Sequence, residues 1–200
     1  MGFDEKAATW DASQRRRELA KAIAESIKES VELKPNMHIL DVGAGTGLLT
    51  REIISFVASV TGVDSSQKML EKFEQIGKKC IPLHCDIIKY QPQRSFDGVI
   101  SSMTMHHIED TREFFEKLNS LLKPEGFIAI ADLEKEDGSF HDHGNEGVHH
   151  FGFDKEELFE LAKEGGFFDI SIKEVYRVKK PNREYPVLLL VAKKGRSSIL

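Results

Sequence analysis

The stretch Asp41-Val42-Gly43-Ala44-Gly45-Thr46-Gly47 packs three glycines and an acid into seven residues. It follows a short apolar run at 38–42 and precedes residues 48–57, which read as a helix. Glycines at such a junction let the backbone turn tightly and approach a ligand. The N-terminus of the following helix offers free N–H groups and a partial positive charge, which suit a phosphate or a carboxylate. A turn made only for packing has the same composition, so the surroundings must decide. Asp64 ends a second apolar run, 21 residues after Gly43, where an acid can accept hydrogen bonds from ribose hydroxyls. Asp86 follows a third run at 80–83, where it can meet an adenine edge. Such features at the ends of successive strands mark the ligand edge of an open α/β sheet.

Two details choose among nucleotides. The dinucleotide fingerprint sets its third glycine three residues after the second. Here it comes two after, and position 48 is Leu48. Asp41 would repel a pyrophosphate and suits a ligand with an α-ammonium. S-adenosylmethionine, with its sulfonium and α-ammonium, therefore fits better than a nicotinamide dinucleotide. Methyl transfer from a sulfonium is an in-line displacement with a good leaving group, so the protein mainly aligns the reactants. Such positioning supplies ~7–11 kcal/mol of barrier lowering. A thiol, phenol or acidic carbon needs a base as well, whereas a tertiary amine does not.

Imidazoles titrate near neutral pH and are the natural proton acceptors. His106 and His107 follow the fourth apolar run, so at least one should face the methyl group; the alternative is a structural hydrogen bond at a helix start. His141, His143, His149 and His150 fall within ten residues, and His143 and His150 are further catalytic candidates. Their spacing admits a transition metal, but neither CxxC nor HExxH accompanies them, and no metal is expected. A substrate-lining or lid role is expected for that loop, against the alternative of a merely polar one. Asp132, Asp137 and Asp142 are placed to pair with these imidazoles, and Phe140, Phe151 and Phe153 to form an apolar substrate wall.

The elements that must position these groups alternate. Residues 12–31 carry Leu19, Ile23, Ile27 and Val31 as one apolar helical stripe. Strands are expected at 38–42, 59–64, 80–83, 96–101 and 127–132, with helices at 48–57, 66–77 and 111–122 between them. Ser65 is the expected N-cap of the second of these helices. This order predicts an α/β domain with a largely parallel sheet, whose strands read as continuous apolar runs because both faces are buried. Residues 134–152 show no periodicity. A helix is expected at 154–164 with Asp154 as N-cap, then strands at 168–178 and 185–192. Their short connection makes that last pair antiparallel.

The chain has 200 residues, a length for one domain, and a net charge of -5, which disfavours nucleic acid as a partner. Arg15-Arg16-Arg17 and Lys78-Lys79 read as solvated helix faces. Cys80 and Cys85 make no disulfide framework, which fits a reducing compartment. The first residues lack the apolar core of a signal peptide, and Lys6 breaks a myristoylation motif. Residues 187–192 are too short an apolar run to cross a bilayer. A cytoplasmic protein without membrane attachment, monomeric or homodimeric, is expected.

Ile39-Leu40-Asp41-Val42-Gly43-Ala44-Gly45-Thr46-Gly47 resembles the first motif of the class I S-adenosylmethionine-dependent methyltransferases. The branch it resembles is the small-molecule one that includes the ubiquinone-biosynthesis type enzymes. Thr61-Gly62-Val63-Asp64-Ser65-Ser66-Gln67-Lys68-Met69-Leu70 is similar to the family's second-strand motif, and Cys85-Asp86-Ile87 to its adenine-contact motif. Phe96-Asp97-Gly98-Val99-Ile100-Ser101-Ser102-Met103 is similar to the fourth-strand motif beside the methyl group. Leu121-Leu122-Lys123-Pro124-Glu125-Gly126-Phe127 resembles the turn before the fifth strand, and residues 3–11 the N-terminal cover over the cofactor. The resemblance is good over residues 1–135 and loose beyond. It implies a single Rossmann-like three-layer sandwich with a seven-stranded sheet of order 3-2-1-4-5-7-6, the seventh strand antiparallel. It divides the chain into a cover at 1–34, a cofactor-binding half at 35–133 and a substrate-side half at 134–195.

It also implies cofactor contacts at Asp41, Gly43, Ala44, Gly45, Thr46, Gly47, Asp64, Ser65, Met69, Asp86, Ile87, Ser101, Ser102 and Met103, with Trp10 packing over the site. S-adenosyl-L-methionine is then the cofactor, S-adenosyl-L-homocysteine the product and a small molecule the methyl acceptor. Branches acting on amino or guanidino groups often carry a tetrad such as NPPY after the fourth strand. Ser101-Ser102-Met103-Thr104-Met105-His106-His107 departs from it, which disfavours methylation of DNA bases or protein amides. Methylation of a protein or tRNA, and a non-catalytic cofactor-binding regulatory protein, are the alternatives.

Overall fold

The computed structural model describes residues 3–142, 144–181 and 183–195. Seven strands form one sheet: β1 (His38–Val42), β2 (Ser59–Asp64), β3 (Cys80–His84), β4 (Phe96–Ser102), β5 (Leu122–Leu133), β6 (Phe167–Lys180) and β7 (Arg183–Lys194). Their order is β3-β2-β1-β4-β5-β7-β6. β1 to β5 run parallel, and β7 is antiparallel to both β5 and β6. The strand order and Rossmann-like form are those the family resemblance implies; the parallel strands are those expected from the alternation, and the antiparallel end is what the short last connection requires. Among the described residues no helix is long and apolar enough to cross a membrane.

The helices are α1 (Phe3–Lys6), α2 (Gln14–Ser30), α3 (Leu48–Ile53), α4 (Gln67–Glu74), α5 (Thr111–Leu121) and α6 (Lys155–Glu164). One core contains Ile23 and Ile27 of α2, Ile39 of β1 and Phe73 of α4. The other contains Leu40 of β1, Val99 of β4 and Phe114 and Leu118 of α5. Successive residues of a strand face opposite sides, so Ile39 and Leu40 feed different cores, and both are fully buried. That double burial explains why the strands read as unbroken apolar runs.

Several boundaries differ from expectation. α3 stops at Ile53 and passes into a 3-10 turn at Ile54–Phe56, where adjacent β-branched residues favour the helix less. The N-cap of α4 is Ser66, not Ser65: the Ser66 Oγ accepts from Met69 N at 3.2 Å. The Asp64 carboxylate takes the N–H of Ser66 and so carries the chain one residue further before the helix begins. β5 starts at Leu122 because Lys123 to Gly126 form a bulge between the pairs Phe96↔Leu122 and Gly98↔Phe127. Asp154 stands at the N-cap of α6, but its side chain makes no capping bond and instead meets Lys135 Nζ at 2.7 Å. β6 and β7 are longer than expected and close to within two residues of each other at Pro181.

Candidate active site

The glycine loop leaves β1 with Gly43, Gly45 and Gly47 at φ of 67°, 54° and 83°, the left-handed region that excludes most side chains. Gly43 N and Ala44 N donate to Val63 O at 2.8 and 3.0 Å, and Gly45 N donates to Asp64 Oδ2 at 2.8 Å. Asp64 Oδ1 accepts from Ser66 N at 2.8 Å. One carboxylate at the end of β2 thus holds both its own turn and the loop after β1. Gly43 is required for a second reason: a β-carbon there would lie 2.0 Å from Thr104 Oγ1.

Asp41 is 2% exposed and accepts from Thr50 Oγ1 at 2.6 Å. Burial, with the Asp64 charge adding to it, pushes its carboxyl up to about 7. It lies beneath the loop rather than at its surface. Burial likewise pushes Asp64 above the ordinary carboxylate range, against the backbone N–H groups of Ser66 and Gly45. Asp86 caps a 3-10 turn at Ile87–Lys89, accepting from Ile88 N at 2.9 Å, and Ile87 is buried beside it. Met69 is buried under the start of α4. Ser101 is fully buried and donates to Val42 O at 2.8 Å, which ties β4 to β1. Ser102 ends β4, and Met103 follows in a left-handed conformation at φ 56°. A non-glycine residue held there carries backbone strain of a kind that gathers at functional sites.

The N-terminal segment lies over this edge. Asp11 accepts from the buried Thr46 Oγ1 at 2.5 Å, and Asp4 accepts from Ser66 Oγ at 2.5 Å. Lys72 Nζ donates to Ala8 O at 3.0 Å. Trp10 stacks under the Arg16 guanidinium, 3.7 Å from ring centroid to Cζ, and meets the edge of Phe3. Phe3 in turn packs edge-on against His107 at 5.6 Å. The cover therefore spans the distance from the glycine loop to the histidines.

His106 lies in a 3-10 turn at Met105–His107 and is 2% exposed. Its Nδ1 meets Asp132 Oδ1 at 2.7 Å, and its backbone N–H donates to Asp132 Oδ2 at 3.1 Å. Burial opposes the charged imidazole, but the Asp132 carboxylate outweighs it and leaves His106 above its ordinary value. Asp132 is held below the ordinary carboxylate range by His106 and by the Leu133 and His106 N–H groups, in spite of burial. His107 Nδ1 meets Gly147 O at 2.6 Å, and burial together with His106 lowers its pKa. His141 stacks 5.2 Å from His106 and 5.9 Å from His107; burial and the neighbouring imidazoles bring it down to about 4.

The other expectations about this loop need correction. His150 points away from the three imidazoles: its Nε2 meets Ile108 O at 3.0 Å and its ring packs on Phe153. With the His149 and His150 N–H groups on His106 O, it pins the loop to the turn after β4. His143 lies outside the described residues. Asp132 takes the imidazole of His106 rather than one from this loop; Asp137 pairs with Arg183 and Asp142 with Lys180, each at 2.7 Å. Phe153 is core and Phe151 is exposed, so only Phe140 reaches the cluster, 5.1 Å from His141. Tyr176 and Lys180 have the Tyr-x-x-x-Lys spacing of some nicotinamide enzymes, but they lie on a strand, with Tyr176 bonded to Glu18 and Lys180 to Asp142. Sequence reasoning missed Thr104, Asp4, Asp11 and the grouping of His141 with His106. The acidic residues had no signal beyond the cover's resemblance.

Residues 40–130, from β1 into β5, match the methyltransferase domain family. The chain is related to methyltransferases. An uncharacterized methyltransferase of Schizosaccharomyces pombe is 33% identical over 159 residues, which cover 70% of this chain and 56% of that protein. A malonyl-acyl-carrier-protein O-methyltransferase of Ilyobacter polytropus is 30% identical over 140 residues, 67% of this chain and 53% of that one. The chain spans about half the length of these relatives. Haemonchus contortus phosphoethanolamine N-methyltransferase 2, solved with S-adenosyl-L-methionine, shares the fold with a TM-score of 0.72 at 19% identity. That likeness covers 98% of this chain and 60% of that one.

Proposed function

We propose that the protein transfers a methyl group from S-adenosyl-L-methionine to a small-molecule acceptor and releases S-adenosyl-L-homocysteine. The cofactor lies along the ends of β1, β2, β3 and β4. The loop at 43–47 supplies backbone for the methionine part, Asp64 with Ser65 holds the ribose, and Asp86 and Ile87 flank the adenine. Met69, Ser101, Ser102 and Met103 line the floor, Asp41 sets the charge beneath the loop, and Trp10 covers it. The division into a cover at 1–34, a cofactor half at 35–133 and an acceptor half at 134–195 belongs to the same reading. A cytoplasmic setting, a monomer or homodimer, and the absence of nucleic-acid or membrane partners are also part of it.

The observation that carries the reading is the Gly45–Asp64 bond beside the Gly43–Thr104 contact: a glycine loop closed by the ribose-side acid and backed by the turn that leads to the histidines. His106 and His107 stand on the acceptor side. Each commits Nδ1 to a protein oxygen, Asp132 Oδ1 and Gly147 O, which leaves Nε2 with its lone pair for what binds there. These acceptor nitrogens can take the proton of an incoming hydroxyl or thiol. The protein's part in the displacement is alignment of that heteroatom with the methyl carbon. The test is calorimetric titration of the full chain with S-adenosylhomocysteine, with NAD as a parallel ligand and Asp64→Ala as a variant checked for native melting. Binding of the first ligand alone, lost in the variant, is the expected result; binding of NAD, or of neither, overturns it.

A further inference from the structure

Three imidazoles from two distant segments meet at one point: His106 and His107 from the turn after β4, and His141 from the loop after β5. One ring nitrogen from each lies within 4.8 Å of the other two. His106 and His107 are each oriented through Nδ1, by a carboxylate and by a main-chain carbonyl. Metal-ligating histidines are normally held by partners of these two kinds.

Two buried side-chain atoms among the described residues have no hydrogen-bond partner, His141 Nδ1 and Glu136 Oε1. Buried polar atoms are nearly always paired in folded proteins. Here one unpaired atom belongs to the histidine group itself, and the other to a carboxylate whose charge acts on His106. Asp132 is bonded directly to His106, and Glu136 lies near enough for its charge to act on the same imidazole. We infer that His106, His107 and His141 form a binding site for a first-row divalent transition metal ion such as Zn2+.

Neutral imidazoles select this class of ion over magnesium or calcium. Metal–nitrogen bonds of about 2.0–2.1 Å set tetrahedral ligands roughly 3.3 Å apart, so the three rings must draw in from their present spacing. His141 can supply that movement by turning about its own side-chain bonds, since its loop is held to β6 and β7 by Asp137–Arg183, Ser139–Tyr185 and Asp142–Lys180. Three protein ligands leave a fourth position open.

The inference stands apart from methyl transfer, since its readout is the ion itself. The untagged full chain, stripped with a chelator, is titrated with Zn2+ by calorimetry and then with Co2+ in the visible spectrum. One ion per chain, with tetrahedral Co2+ bands, is expected. His107→Ala and His141→Gln should each weaken Zn2+ at least about tenfold, and Asp132→Asn by about 10–100-fold, the usual effect of losing a ligand's orienting partner. A thermal melt of each variant separates loss of the ion from loss of the fold, and His141→Gln, on an irregular loop, is the variant least able to unfold the protein. No Zn2+ binding by the stripped wild type, or equal binding by wild type and a folded His141→Gln variant, overturns the inference.

Discussion

Gly43 and Thr104 occupy adjoining space: a β-carbon on Gly43 would fall 2.0 Å from Thr104 Oγ1 and 2.7 Å from its Cβ. The loop after β1 and the turn after β4 are therefore in contact at the point where the sheet opens. Gly43→Ala should cost roughly 1–3 kcal/mol from overpacking and about 1–2 kcal/mol from its positive φ. Thr104→Gly in the same chain should recover the first part and leave the second. A double-mutant cycle by urea denaturation measures this; equal destabilisation with and without Thr104 would show that the contact is irrelevant.

Asp41 offers a pH test. Its folded pKa of about 7 lies above the ordinary aspartate value, so the folded state holds this proton more tightly than the unfolded chain. The associated stability is fully present below about pH 4 and is lost as pH rises through about 7, amounting to roughly 4 kcal/mol across that window. Asp41→Asn keeps an acceptor for Thr50 and removes the titration. Chemical denaturation at pH 5 and pH 8 should show the variant gaining on wild type at the higher pH, and a constant difference between the two would refute the buried-acid account.

Asp132 accepts from His106 Nδ1, His106 N and Leu133 N while buried. Removing one member of a buried charged pair typically costs about 3–5 kcal/mol. Asp132→Ala should lose that much in denaturant titration, and Asp132→Asn distinctly less because it preserves shape and one acceptor. A change below about 1 kcal/mol for alanine would mean that the pair is not held as described.

The cover is fastened by Asp4 to Ser66 and by Asp11 to Thr46. If it closes over bound cofactor, S-adenosylhomocysteine should slow proteolysis within residues 3–12, and Asp11→Ala should abolish most of that protection. Sites that exclude water commonly close in this way. Cleavage at the same rate with and without ligand would remove the cover from the cofactor's binding path.

The strand positions and the glycine loop were legible in the amino-acid sequence because their causes are local. Burial on both faces writes a strand as a continuous apolar run, as at 127–132, and a left-handed turn writes itself as glycine, as at 43, 45 and 47. The antiparallel end of the sheet was legible for a similar reason, since a connection as short as that before Arg183 admits no crossover. The histidine site was not. Asp132 reaches His106 because β4 and β5 pair in the register Ser102↔Ala131, which puts the next residue of β5 beside the turn after β4. His141 turns inward and His150 outward because of backbone bends in a segment without periodicity, so composition made them equivalent and only the tertiary structure separated them. Asp4 and Asp11 find Ser66 and Thr46 across 62 and 35 residues. Such pairings depend on how elements dock, and a side chain's partner over that distance is decided by packing of the whole core rather than by any neighbour in the chain.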